Sequence, residues 1–558
     1  MNHKRWPIAA CAVVLLALTL ASPTLAMEAG PVDEREGPQW AAGQPEAAGS
    51  AEDTYNTVIT VTSGTDPDDS KSKRCSTEAV CTLRRAIVDT RWLSPSQLPV
   101  LIEFDIPPDA AEGYDSTLGV WEIQVHSTTE LYAFRRLKGQ VTIDGSTQSG
   151  GRTEGPKIVL IGPSRRIGGI VMGDVAGDDA TVIRGLAMQD FDTHLYVNHD
   201  HNVIEDCWFG LSSDGTTLTS GDDTEAEGGS AIALSEEADR NTIRNNKFAG
   251  FFGASVAIRG EENVFAGNWV GLRADGSVPL PPQFDKHPCM GNTWAGGSGI
   301  TVSGDGHQIG GPDSSDGNRF AGLYLDIFEQ SEPPFAIQLA GADDENLIQN
   351  NVIGLDAFDA TVGICGRGIK LIGGNQNTHV VGNILVETGL SAILMNDSPV
   401  MDRLNGNTLR GNVIKRESGW PEEQGDNTFP EAAIAYGSGV PDALRNFMPA
   451  RITNISGVSV TGTSGSGSPC PHCTVEVFLD DTDAVVEALR SLAVATADAQ
   501  GDWSARLAAP LQEGQALRTM STVPDDWTIT WLDEGTTSNL SRLYGGSRIY
   551  LPLVLRNI

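Results

Sequence analysis

Positive charge, aromatic rings and long apolar runs are all scarce in this chain. Lys and Arg total 38 against 73 Asp and Glu, a formal net charge of −35 over 558 residues. A surface that negative repels nucleic-acid phosphates and anionic lipid, which argues against nucleic-acid or membrane-surface binding. Divalent cations and neutral glycans stay compatible with it, and solubility outside the cell is the default reading. Aromatics are only 6% of the chain while Gly numbers 63, a balance that suits a turn-rich β protein better than a helical one.

The one extended apolar run is Ile8 to Leu20. It is about 13 residues long, short of the ~20 that a spanning helix needs. His3, Lys4 and Arg5 precede it, and Ser22-Pro23-Thr24-Leu25-Ala26 follows with small residues. This is the pattern of a signal peptide (residues 1–26) cleaved after Ala26. The expected product is secreted or held at the cell surface, with no transmembrane span in the mature chain. Residues 27–55 mix acids with Ala, Gly and Pro and hold almost no large apolar side chain, so they read as a disordered acidic linker.

Cysteine is sparse but unevenly placed. Of eight, Cys11 leaves with the leader. Cys75/Cys81 and Cys470/Cys473 are close pairs and read as disulfides in an oxidising compartment. Cys470-Pro-His-Cys473 has redox-motif spelling, but a strand pattern follows it rather than a helix, so a structural staple is expected. Cys207, Cys289 and Cys365 cannot all pair with one another, which leaves at least one thiol free.

What the chain has in abundance is a repeat. Six segments align without gaps on Asn-x-Ile-x-x-Asn-x-Ile, beginning at Asn202, Asn241, Asn263, Asn346, Thr378 and Asn407. The shortest spacing, 241 to 263, sets a coil of about 22 residues; longer spacings are coils with insertions or with a decayed motif. Short strands such as Ala231-Ile-Ala-Leu234 and Gly368-Ile-Lys-Leu371 lie between the motifs. No single unit can bury its apolar residues, but stacked coils line up Ile, Val and Phe in one interior column. The repeated Asn (Asn202, Asn241, Asn263, Asn346, Asn407) belongs at a bend, where successive side chains stack as a ladder. The fold class expected is all-β: a right-handed parallel β-helix over 56–447, with an N-terminal cap that includes a short helix. Leu83, Ala86 and Ile87 share a face of that helix, and Thr82 suits its N-cap. From Met448 the Asn repeat stops and strands alternate polar and apolar, as in a half-buried antiparallel sheet. A small Ig-like β-sandwich is expected over 448–541, then a C-terminal tail over 542–558.

Several phrases carry a family resemblance. Cys81-Thr-Leu-Arg-Arg-Ala-Ile87 resembles the CSLREAI motif that opens many secreted bacterial β-helix proteins of pectate-lyase-like fold, with Thr82 and Arg85 replacing the motif's Ser and Glu. Val141-Thr-Ile-Asp-Gly-Ser-Thr-Gln148, Ile309-Gly-Gly-Pro and Val352-Ile-Gly-Leu-Asp356 are similar to coil phrases of the same proteins. Cys470-Pro-His-Cys-Thr-Val-Glu-Val-Phe478 with Gly501-Asp-Trp-Ser504 resembles their C-terminal Ig-like module. The resemblance implies a bacterial extracellular protein and assigns no activity.

Enzymes of this fold cut polysaccharides with clustered Asp residues, or with acid-bound Ca²⁺ and an Arg or Lys base. The phrases that carry either chemistry are missing here. The densest polar stretch runs from Asp190, Asp192 and His194 through His199, Asp200 and His201 to Glu205 and Asp206. Asp190, Asp192 and His194 are the candidates for acid–base or metal chemistry, against the simpler reading of one coil with a polar outer face. No cofactor is firm; Ca²⁺ is the ion such acids would take, as would Asp66, Asp68 and Asp69 in their polar loop. Trp208, Trp269 and Trp294 are candidates for a sugar-stacking strip, with packing as the plainer alternative. The leading expectation is non-catalytic binding of a polysaccharide or another cell-surface component. A polysaccharide lyase or glycoside hydrolase is the alternative, and a structural outer-layer role the third. Specificity is expected in the insertions at 212–230 and 273–298.

Overall fold

The computed structural model describes residues 54–545 apart from 68–72, 127–130, 220–228, 280–296, 325–332, 342–344, 397–405, 417–432, 465–469, 525–531 and a few single positions. The expected signal peptide, most of the expected linker and the end of the expected tail lie outside the described residues.

Short strands stack into three long sheets. The first has eleven strands, from Thr57–Val61 to Thr408–Arg410; the second has nine, from Ile170–Met172 to Ile434–Tyr436; the third has eleven, ending at Val413–Lys415. Pairing is parallel throughout except for the opening hairpin of the third sheet, Tyr114–Asp115 with Val120–Gln124. The chain is a parallel β-helix. Its register places Ile59, Ile102, Ile143, Ile183, Ile204 and Ile243 in one interior column, continued by Phe265, Ile309, Ile348, Val380 and Leu409. Burial of each such side chain contributes about 1.5–3 kcal/mol. A second stack, Phe209 on Phe248 at 5.2 Å, runs up the third sheet.

Asn at each bend forms two ladders rather than one. In the first, Asn202 and Asn241 each send their backbone N–H and Nδ2 to the Oδ1 of the next Asn, Asn241 and Asn263. His307 then takes the Asn place, accepting from the Asn263 N–H and donating its own N–H to Asn346. The gap from 263 to 346 is therefore two coils, one with His in place of Asn. The second ladder is unbroken through Asn246, Asn268, Asn318, Asn351, Asn383 and Asn412. Cys207 heads it in the Asn place, its N–H donating to Asn246. The residue before most ladder positions is left-handed: His201, Arg240 and Glu262 in the first, Asn245, Asn350 and Gly382 in the second. That backbone reversal turns the corner, and the Asn amide satisfies the groups the corner exposes.

Both ends are closed. At the start, the helix Leu83–Thr90 is capped by Thr82, which accepts the Arg85 N–H, and Leu83, Ala86 and Ile87 are buried in the β-helix core. Cys75 and Cys81 stand at disulfide distance beside it. At the end lies an antiparallel sandwich: a three-stranded sheet (Arg451–Ser456, Ser459–Thr463, Asp502–Arg506) over a four-stranded one built on Thr474–Asp481 and Gln515–Thr522. Cys470 and Cys473 stand at disulfide distance at the base of its second hairpin.

The three-stranded sheet is half-buried, as alternation demands. In the four-stranded sheet, Thr474–Asp481 and Gln515–Thr522 are instead buried on both faces. Val475, Val477 and Leu517 face the sandwich interior, while Phe478 and Met520, on the other face, pack into the β-helix core. Its polar row therefore meets the last coil instead of water. Ala488 exchanges both backbone bonds with Ile414, and Thr536 and Thr537 serve the N–H groups of Gly406 and Leu409. Without this cover the last coil would present unpaired strand edges.

Candidate functional site

The sequence candidates do not share a face. His194 stands one residue before the strand Leu195–Val197, at a place held in adjoining coils by Gly169, Ala231, Ser255 and Gly299. Those small residues mark an interior corner, and the imidazole turns inward there. It is fully buried among Phe191, Phe209 and Phe251, with ring centroids at 5.7, 5.9 and 5.3 Å. Neither ring nitrogen has a hydrogen-bond partner among the described residues. Burial lowers its pKa to about 3, so the ring is neutral at ordinary pH. Asp190 sits at a left-handed bend, with φ 55°. Asp192 points outward, and partial burial raises its pKa.

Asp192 instead joins an outer-face cluster that sequence reasoning missed. Tyr196 occupies the outward position of its strand, with the Asp192 and Thr193 side chains close enough to influence its hydroxyl, whose pKa burial raises. Tyr132 meets Tyr196 edge-to-face at 5.3 Å, and Arg136 lies over the Tyr132 ring at 5.9 Å. Gly168 lets the rings meet, since a Cβ there would lie 2.7 Å from Tyr132 and 3.1 Å from Tyr196. Tyr132 is far from Tyr196 in sequence and outside the Asn repeat, so only the folded register brings them together.

The other polar candidates have structural partners. His201 sits at the bend before Asn202, and Asp200 accepts the Asp239 N–H. Glu205 belongs to an outward column in which Asp144, Arg184, Glu205 and Arg244 alternate coil by coil. Arg184 bonds Asp144 at 2.7 Å and Arg244 bonds Glu205 at 2.7 Å. Asp206 takes a left-handed bend. Asp66 is held by Arg84 at 2.6 Å and by the His126 N–H, which makes it a cap ion pair; Asp68 and Asp69 lie outside the described residues.

Trp208 and Trp269 do share one outward column, but hairpins cover it. The turns at 212–217, 273–277 and 356–360 each close on a backbone bond. They follow the strands Trp208–Phe209, Trp269–Val270 and Val352–Ile353, which are alternate members of the third sheet. A hairpin is two strands wide, about 9.6 Å, and so fits every second coil. Successive hairpins are bonded, Ala274 N–H to Gly215 O and Ala357 N–H to Gly276 O. Coils between them supply a cation: Lys247 donates to Ala274 O and lies 4.3 Å over Trp269, and Arg319 donates to Asp356 O. Trp208 is only 9% exposed beneath this layer, with Arg152 stacked at 4.6 Å. The pair is packing, while Trp294 lies outside the described residues. The predicted specificity insertions are hairpins where described, over 212–219 and 273–279.

Asp480, Asp481 and Glu487 bring carboxylate oxygens within 4.8 Å of one another in the sandwich. Arg518 already pairs with Asp480, and the Arg416 N–H with Glu487, so protein groups serve much of this cluster. Cys207 is a free, buried thiol, pushed up to about 12 by burial, and is too protonated for nucleophilic work. Cys365 is disulfide-bonded. Among the described residues no helix is long and apolar enough to cross a membrane.

No protein family, curated protein or solved structure matches this chain. The fold and the geometry of the outer cluster are what bear on function.

Proposed function

We propose that this chain is a secreted or cell-surface β-helix protein that binds a neutral glycan without turning it over, at the ledge formed by Tyr132, Tyr196 and Asp192. The observation that carries the reading is the edge-to-face pair of Tyr132 and Tyr196 beside Asp192, on the outer face of a rigid solenoid. Tyrosine offers an apolar ring for a sugar face and a hydroxyl for its edge. A carboxylate accepts bonds from paired sugar hydroxyls. The net charge of −35 disfavours polyanionic chains, which selects neutral ones. The CSLREAI-like phrases support placing the protein with secreted bacterial β-helix proteins, and the leader-like N-terminus supports export.

Glycoside hydrolysis needs two carboxylates flanking the bond. Among the described residues no second carboxylate acts on Asp192, and His194 faces the interior. The test is a panel of neutral and acidic polysaccharides, with Ca²⁺ or EDTA, read for both retention and product release. Retention on a neutral glycan with no product is expected. Product release that Asp192→Asn abolishes would replace binding with catalysis.

A further inference from the structure

The junction between β-helix and sandwich buries two carboxylates, and each grips the last coil. Glu476 extends from Thr474–Asp481 on the face that meets the β-helix, and its Oε1 accepts the Gly411 N–H at 3.1 Å. Its Oε2 has no partner among the described residues. Glu487 lies beside the Ile414–Ala488 bridge, and its Oε1 accepts the Arg416 N–H at 2.5 Å. Both side chains belong to residues only 3% exposed. We propose that this junction is a proton-sensitive clasp, tightened when Glu476 and Glu487 are protonated and loosened when both are charged.

The surroundings fix the direction. Glu476 faces the Arg410 guanidinium from the β-helix and, on its own sheet, Val494 and Met520. Glu487 faces Asp480, Asp481 and Asp483, with Arg518 engaged by Asp480 and Arg416 offering its N–H. One acid is short of partners and the other is crowded by like charges, so ionisation is costly for both. Burial is the largest cause in each case, and both carboxyls are raised to about 7. A carboxyl raised in the folded state adds stability that is complete below its ordinary pKa of 4.5 and is lost as pH rises through about 7. The clasp is therefore tight in acid and weak in mildly alkaline surroundings. The cover over the open end of the solenoid responds to the pH outside the cell.

The full-length chain tests this by amide hydrogen exchange at pH 5.5 and pH 8, each corrected for the intrinsic rate. The Gly411 and Arg416 amides should be protected at least about tenfold more at pH 5.5, because a single pKa unit is a factor of ten. The amide of Asn318, in a central coil, should show no such ratio. E476Q and E487Q together should flatten the dependence at both amides. Equal protection of Gly411 and Arg416 at the two pH values would overturn the clasp, as would a folded double variant that keeps the wild-type ratio. The wild-type comparison decides alone if the double variant does not fold.

Discussion

Asn351 donates both its backbone N–H and its Nδ2 to the Oδ1 of Asn383 one coil on, at 2.9 and 3.0 Å. Its Nδ2 also reaches back to the Ile309 carbonyl, and its own Oδ1 takes two donors from Asn318. One buried amide thus binds four groups on neighbouring coils. Asn351→Ala leaves several of them unmet, at about 1–3 kcal/mol each before relaxation, so a loss of roughly 3 kcal/mol is expected. Urea unfolding reads the total. Amide exchange should place the damage in the adjoining coils, since solenoid repeats lean on their neighbours.

His194 makes acid costly. Its pKa is lowered from 6.5 to about 3. The stability it supports is therefore present above pH 6.5 and lost as pH falls toward 3, because the unfolded ring takes a proton that the folded one refuses. His194→Leu removes that term. Between pH 7 and pH 4.5 the wild type should lose on the order of 2–3 kcal/mol more than the variant, read from urea midpoints at each pH. Identical acid responses would place the ring elsewhere than in the core.

Gly215 joins the first and second hairpins. Its φ is 74°, and a Cβ there would lie 2.4 Å from Ala274 Cβ and 2.8 Å from the Trp208 ring. Gly215→Val combines left-handed strain, about 1–3 kcal/mol, with a clash that lifts the hairpin. Trp208 should become open to a soluble fluorescence quencher well below the unfolding temperature, while the interior stack of Phe209 on Phe248 stays intact.

The repeat was readable because a residue every coil, of one type, leaves a mark in sequence. The Ile column and the Thr82 cap followed from period and chemistry alone. The second Asn ladder was present in the same motif but is recognised only when Asn383 and Asn412 are seen to bond. The Asp144–Arg184–Glu205–Arg244 column was hidden, since insertions of varying length separate its members and only the register aligns them. His194 misled because a three-residue strand has too little pattern to show which way its neighbours point. The sandwich misled for a different reason: polar alternation in Thr474–Asp481 marks a face toward polar backbone at the end of the solenoid, not a face toward water.

The ledge at Tyr132 and Tyr196 bears the functional account, and one titration tests it. The wild type, Tyr196→Ala, Tyr132→Ala and Trp92→Ala are titrated calorimetrically with the neutral polysaccharide that retains the wild type, after matching unfolding midpoints confirm folding. Trp92 is 69% exposed in the N-terminal cap and lies outside the ledge. The account predicts at least about a tenfold weaker Kd for each tyrosine variant, near 1.4 kcal/mol, and an unchanged Kd for Trp92→Ala. Unchanged binding in both tyrosine variants, or a loss confined to Trp92→Ala, would contradict it.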